Sequence, residues 1–246
     1  MDTQYADKIL NEVARGYDAL AGSFDESRTA LWEEQKFFLP YVSEHANILD
    51  VGCGNGRLLK LFEGRTLSYT GTDNNAKLVQ KAQEYAKQYP AITTQFVIAD
   101  MRSLPLSDRT FDRVFCIAAL HHIPSHTYQL AALKEMHRVL QPGGILCMTN
   151  WNLHMQERYV KKRQKLAVQH PDWFDGLSDR DFLISWKWHI GNQTVYRYYY
   201  SFAEDELAQL LAEAGFKTIR QEFSEGGVSW SKERTKRNVV TVAQKN

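Results

Sequence analysis

Apolar positions along this chain recur at two periods, and the two periods take turns. Residues 4–20 place Ile9, Leu10, Val13 and Tyr17 at helical spacing, which predicts an amphipathic helix. A second helix is predicted over about 30–41. NILDV (47–51) is a short apolar run that enters GCGNG at once, and RLLKLFEG then reads as a helix ending at Gly64. LSYTGTD (67–73) and TTQFVIAD (93–100) read as strands, each closed by an acid, with a helix over 75–88 between them. FDRVFCIAAL (111–120) reads as a strand, 127–140 as a helix closed by QPGG, and GILCMTNW (144–151) as a strand. No clean period runs through 152–200. AEDELAQLLAEAGF (203–216) is a helix with Gly215 at its C-cap, and strands follow near 216–223 and 238–244. Strands alternating with helices predict an α/β fold: a doubly wound, mostly parallel sheet of seven strands. The last two strands form an antiparallel hairpin at its C-terminal edge. Ligands of such a sheet sit beyond the carboxyl ends of the strands.

Length and charge narrow the picture a little. The 246 residues suffice for one large domain with a lid over 1–41 and an inserted cap over 152–200. Residues 1–150 hold 15 Lys+Arg against 17 Asp+Glu (net −2). Residues 151–246 hold 15 against 12 (net +3), which sums to the chain's +1. That tilt alone does not argue for a nucleic-acid partner. Cys53, Cys116 and Cys147 form no CxxC pair and lie in or beside apolar runs, as buried free thiols of a cytoplasmic protein do. The segment MDTQYADKIL lacks an apolar core for a signal peptide, and no apolar run approaches the length of a membrane span.

The candidate chemistry begins at D50-V-G52-C-G54-N-G56. Glycines let a backbone turn sharply and approach a ligand closely. The spacing is GxGxG, not the GxGxxG of dinucleotide sites, which disfavours NAD(H). Asp73 closes the second strand, 17 residues past Gly56, where an acid can accept ribose hydroxyls. Asp100 closes the third. Together with the FD at 111–112 and the PGG turn at 142–144, this order of features resembles motifs I to VI of the class I S-adenosylmethionine-dependent methyltransferases. The resemblance covers residues 47–150. It implies the Rossmann-like methyltransferase fold and S-adenosylmethionine as cofactor. Asp50, Gly52, Cys53, Gly54 and Gly56 would cradle the cofactor. Asp73 and Asn74 would hold its ribose, Asp100 and Met101 its adenine, and Ile117 would line the site. Tyr17 would close over the methionine moiety.

CIAALHHIPS (116–125) sets two adjacent histidines at the end of a strand. Side chains of neighbouring strand residues point to opposite faces, so His121 and His122 do not readily share one metal ion. No HxH spacing and no nearby cysteine pair supplies a further set of ligands, so no metal is expected. One histidine is expected to line the site, where it could orient the substrate or serve as a base, and the other to be structural.

The flanks are more specific. SFDESRTALW (23–32), CIAALHHIP (116–124) and VYRYYYSFAEDEL (195–207) are similar to segments of the tRNA wobble-uridine carboxymethyl methyltransferases. The resemblance implies methylation of the carboxylate of 5-carboxymethyluridine in the tRNA anticodon loop, and a small activator subunit. It maps the family's residues onto Arg28 and Trp32, onto His121 and His122, and onto Arg197, Tyr198 and Tyr199. Trp151 and Asn152 follow the fifth strand. Arg28 and Arg197 are then candidates to hold the acceptor carboxylate. KKRQK (161–165), KERTKR (232–237) and the aromatics Trp173, Phe174, Trp186 and Trp188 suit a single-stranded RNA loop. They equally suit a solvated helix face and a small cap core. The tail, VSWSKERTKRNVVTVAQKN, departs from that family's ending. YDALAGSFD (17–25) also resembles small-molecule methyltransferases acting on quinone precursors or other metabolites, and this remains the alternative.

Overall fold

The computed structural model describes residues 1–24, 33–190, 193–224 and 238–246, and omits the side chains of 19–24, 33, 186–190 and 193–195. Arg28, Trp32 and KERTKR therefore lie outside the described residues, as do the side chains of Trp186 and Trp188.

Strands β1 (Asn47–Val51), β2 (Leu67–Asp73), β3 (Ile92–Ile98), β4 (Phe111–Ile117) and β5 (Leu140–Trp151) pair in parallel. With β8 (Phe216–Ser224) and β9 (Asn238–Lys245) they form one sheet in the order β3-β2-β1-β4-β5-β9-β8. Strand β9 runs antiparallel to both β5 and β8, as the sequence predicts for the C-terminal hairpin. The reversal of strand order beside β1 and β4 marks the switch point at which this class of sheet binds ligands.

Both faces of the sheet are buried, so its strands read as apolar runs and not as alternating ones. The period of two still sorts the side chains. Leu49, Val51, Val114, Cys116, Leu146 and Met148 enter the core shared with α3 (His126–Val139) and α5 (Glu204–Glu213). Ile48, Phe115, Ile117, Ile145 and Cys147 enter the opposite core, under the 3-10 helices Glu33–Tyr41 and Arg57–Phe62.

Several elements differ from the sequence expectation. The helix expected over RLLKLFEG is a short 3-10 helix, because Leu58, Leu59, Leu61 and Phe62 are all buried and no single stripe faces inward. Strand β4 stops at Ile117. Ala118 takes φ 54°, and His121 and His122 sit on a 3-10 turn, Leu120–His122, not on a strand end. The region without a period holds α4 (Glu157–Gln169) and a hairpin of β6 (Asp181–Ile190) with β7 (Gln193–Tyr200). Both faces of that hairpin are covered, which erases the alternation. Tyr198 packs with Ile9 and Val13 of α1 (Thr3–Phe24), while Tyr199 packs with Leu153 and Phe182.

Candidate active site

The loop after β1 is shaped by glycine. Gly52 has φ +74°, and a Cβ there would lie 2.5 Å from the Cβ of Ala119. Gly56 has φ +78°, and its Cβ would come within 3.1 Å of the backbone of Ala82 in α2 (Ala76–Ala86). Both positions combine a left-handed backbone with a contact that excludes a side chain. The N–H groups of Gly52 and Cys53 donate to the carbonyl of Thr72 at 2.7 and 2.9 Å. The N–H of Gly54 donates to the Asp73 carboxylate at 2.9 Å. These donors are used within the fold. The element after the loop is a six-residue 3-10 helix, which lacks the α-helical N-terminus that receives a pyrophosphate. The loop is built to approach a ligand, not to bind an anion.

A cavity of about 250 Å³ opens at the carboxyl ends of β1, β2 and β4. Gly52, Gly54, Asp73, Asn74, Asp100, Met101, His122 and Tyr17 line it, as do residues that sequence reasoning did not single out: Leu10, Asn11 and Ala14 of α1, Ala118, and Arg102. Helix α1 forms one wall. Its Asp18 accepts from Asn75 Nδ2 at 2.8 Å, and Asn75 in turn caps α2. Nearer its start, Asp7 accepts from the hydroxyl of Tyr128 at 2.8 Å and lies 3.7 Å from Arg102.

The acids differ in state. Burial pushes the Asp73 carboxyl up, and the N–H groups of Asn75, Gly54 and Asn74 offset this only in part. Burial acts the same way on Asp100, but hydrogen bonds from Arg102 outweigh it and hold Asp100 below its ordinary range. Asp50 does not line the cavity. The strand period turns it toward Ile48 and Tyr69, where the Tyr69 hydroxyl donates to it at 2.5 Å and burial raises it to about 7. With Cys53, Ile117 and Gln35 it lines a separate cavity of about 40 Å³ behind the loop. Gly56 faces α2 instead. Burial pushes the Cys53 and Cys116 thiols up, Cys116 to about 12, so neither is a thiolate nucleophile at neutral pH.

The two histidines separate cleanly. Their ring centroids are 4.7 Å apart. His121 is fully buried, and its Nδ1 accepts from the Trp151 N–H at 3.1 Å. His122 lines the cavity, with Nδ1 2.9 Å from the carbonyl oxygen of Tyr198 and Nε2 2.9 Å from the Tyr17 hydroxyl. A carbonyl only accepts, so His122 carries its proton on Nδ1. Its Nε2 then accepts from Tyr17. Neutral His121 is the opposite tautomer, with its proton on Nε2. The opposed strand faces expected for the pair give way to a turn, yet each ring is already engaged by a protein group. Among the described residues, no cluster of His, Cys, Asp or Glu could hold a metal ion.

Arg197 is 3% exposed, and its Nη1 donates to the Tyr17 oxygen at 3.4 Å. Its guanidinium lies 5.2 Å from the centroid of Tyr199. Tyr199 is buried, stacks on Trp151 at 4.9 Å and meets His122 at 4.5 Å. Tyr198 and Asn152 are buried away from the cavity, and the Tyr198 hydroxyl donates to Asp181.

Residues 49–148 match the methyltransferase domain family. A methyltransferase-family protein of Encephalitozoon cuniculi is 29% identical over 208 residues, 84% of this chain and 88% of that one. The tRNA (carboxymethyluridine(34)-5-O)-methyltransferase of Arabidopsis thaliana is 30% identical over 145 residues, 59% of this chain. That match spans about a third (34%) of the Arabidopsis protein. Among solved structures, an S-adenosylmethionine-dependent methyltransferase of Methanosarcina mazei shares the fold, with a TM-score of 0.69 and 24% identity over 85% of this chain and 96% of that one. The glycine loop and the two acids at the strand ends lie within or beside the matched segment, and residues 49–148 carry a methyltransferase domain.

Proposed function

We propose that this chain binds S-adenosylmethionine in the 250 Å³ cavity and methylates the carboxylate of a modified wobble uridine in the tRNA anticodon loop. Carboxylates and apolar walls around the loop suit a ligand that carries a sulfonium and an ammonium. Asp73 would accept the ribose hydroxyls, and Asp100 with Met101 would face the adenine. When bound, the cofactor supplies an electrophilic methyl group.

The observation that carries the acceptor reading is the contact of Tyr17 and His122, which line the cavity, with Arg197, which lies buried behind Tyr17. The Tyr17 oxygen lies 3.4 Å from Arg197 Nη1 and 2.9 Å from His122 Nε2. A carboxylate is already a nucleophile at neutral pH, so its oxygen takes the methyl carbon as the carbon–sulfur bond breaks, and no proton moves. The protein's part is to position the acceptor and exclude water. A buried arginine can grip one carboxylate oxygen and aim the other. Arg28 is proposed for the same task. Trp151, partly exposed and stacked on Tyr199, offers a platform beside this point for a base.

The resemblance to the carboxymethyluridine enzymes also supports a small activator subunit. Among the described residues no helix is long and apolar enough to cross a membrane, and three buried free thiols suit the reducing cytoplasm. The apolar side chains that α1 contributes, Leu10 and Val13, favour a second reading in which the acceptor is a small metabolite.

Tritiated S-adenosylmethionine with tRNA that accumulates carboxymethyluridine, run beside a small-molecule extract, decides between the two. Acid-precipitable label released by mild alkali as methanol means an ester on tRNA. Label confined to the extract removes the tRNA reading.

A further inference from the structure

Helix α4 is the most basic element of the described chain. Its 13 residues, ERYVKKRQKLAVQ, hold five cations and one acid, and Leu166 is its one buried residue. Arg158, Lys161, Lys162 and Lys165 follow the spacing i, i+3, i+4, i+7 and therefore share one face. All four are exposed. The fifth cation is used differently. Arg163 Nε donates to the carbonyl of Asp181 at 2.8 Å, Nη2 donates to the carbonyl of Ser178 at 2.6 Å, and the guanidinium lies over Phe174 and Phe182. Arg163 and Leu166 thus anchor the helix, Arg163 on β6, and leave the other four cations exposed, with the Arg158 guanidinium lying over the neighbouring Tyr159 ring.

Four like charges at i+3 and i+4 spacing oppose helix formation. Among the described residues, Glu157 is the acid paired with them, 2.6 Å from Lys161. Among the described residues, Lys162 and Lys165 make no hydrogen bond or ion pair that would offset this cost, so an external anion is the natural counterpart. The position is informative. Helix α4 begins six residues after Trp151, and Trp151 stacks on Tyr199, which touches His122 and Arg197. From Arg158 to Lys165 the stripe is about 10 Å long. Just past the end of the helix, His170 stacks on Trp173 at 4.0 Å and Trp173 meets Tyr196 at 5.1 Å.

We infer that this face of α4 is the surface on which the RNA phosphate backbone docks while the acceptor nucleotide reaches the cavity. The inference rests on the tRNA reading above and assigns it a surface. Arg158, Lys161, Lys162 and Lys165 are positioning residues that carry no base specificity.

The test measures the Kd for bulk tRNA against salt for the full chain and for the variant Lys161→Gln, Lys162→Gln, Lys165→Gln. Glutamine keeps the helix propensity of lysine, so α4 persists. Each lost phosphate contact should lower the slope of log K against log salt by about 0.7 to 1. The variant is expected to lose about two to three in slope while its affinity for S-adenosylmethionine stays unchanged. A charge-reversing pair, Lys162→Glu with Lys165→Glu, should also weaken tRNA binding with the same cofactor control. If the parent binds tRNA and both variants keep its slope and affinity, the stripe is a solvated face and the inference fails alone. If the parent binds no tRNA, the inference and the tRNA reading fall together. Vesicles of phosphatidylcholine with 30 mol% phosphatidylserine are run in parallel. Loss of vesicle binding in the variants without loss of tRNA binding would assign the stripe to membranes and overturn the inference.

Discussion

His121 and His122 are neighbours in sequence and of one residue type, yet their hydrogen bonds give them opposite tautomers and opposite duties. Removal of His121 leaves the buried N–H of Trp151 without its acceptor, at a cost of about 1–3 kcal/mol. His121→Ala is therefore expected to lower the unfolding midpoint while cofactor affinity holds. His122→Ala is expected to reverse that pattern, with little loss of midpoint and a marked fall in methyl transfer, because its ring faces the cavity. Equal loss of stability in both variants would contradict the division. Asp50 makes a second residue-scale prediction. Its carboxyl stands near 7 in the fold against an ordinary 3.8. The folded chain thus keeps this proton to higher pH than the unfolded chain does. The Asp50 contribution to stability is complete below the ordinary carboxyl range and is lost as pH rises toward 7. Asp50→Asn keeps an acceptor for the Tyr69 hydroxyl and removes the titration. Cofactor-free Asp50→Asn should melt above the parent at pH 8, with the gap narrowing toward pH 4. Parallel curves would mean that Asp50 is ionised throughout. The candidate acids Asp73 and Asp100 were legible in the sequence because each closes a strand. The turn of Asp50 away from the cavity was not, because it depends on which face of β1 meets Tyr69.

At the scale of elements, α1 is a wall of the cavity held at two points. Asp7 meets Tyr128 and Arg102 near its start, and Asp18 meets Asn75 further along. Arg102 also grips Asp100, so the wall and the acid proposed for the adenine share one guanidinium. Asp7→Asn, an exposed change with little effect on the fold, is expected to weaken S-adenosylmethionine binding several-fold by loosening α1. Titration calorimetry checks this, and unchanged affinity would show that the wall stands without the Asp7 contact. The amphipathic spacing of α1 was plain in the sequence, but its partners were not. Leu10 contributes to the main core, while Ile9 and Val13 pack with Tyr198 of β7. The hairpin of β6 and β7 escaped the reading for a related reason. Tyr198 serves α1 and Tyr199 serves the cap, so a strand with both faces covered shows no polar alternation.

For the molecule as a whole, the cap and α1 meet in one small core beside the cavity, tied further by the Tyr5 hydroxyl, which donates to the carbonyl of Trp173 at 3.3 Å. Ligand in the cavity should therefore slow amide exchange in α1 and β7 together on addition of S-adenosylmethionine. Protection confined to the glycine loop would mean that the two units open independently. The strand–helix alternation, the GxGxG turn and the acids at the strand ends were set by sequence alone, because each rests on local backbone preference and on a period that any window of the chain displays. That is enough for the sheet and for the methyltransferase domain matched over residues 49–148. What the tertiary structure decided is which side chains share a space. It turned His122 into the cavity and His121 out of it, brought Arg197 to Tyr17 across 180 residues, and moved Asp50 behind the loop. Those outcomes depend on how separate elements pack against one another, and no local stretch of residues encodes that.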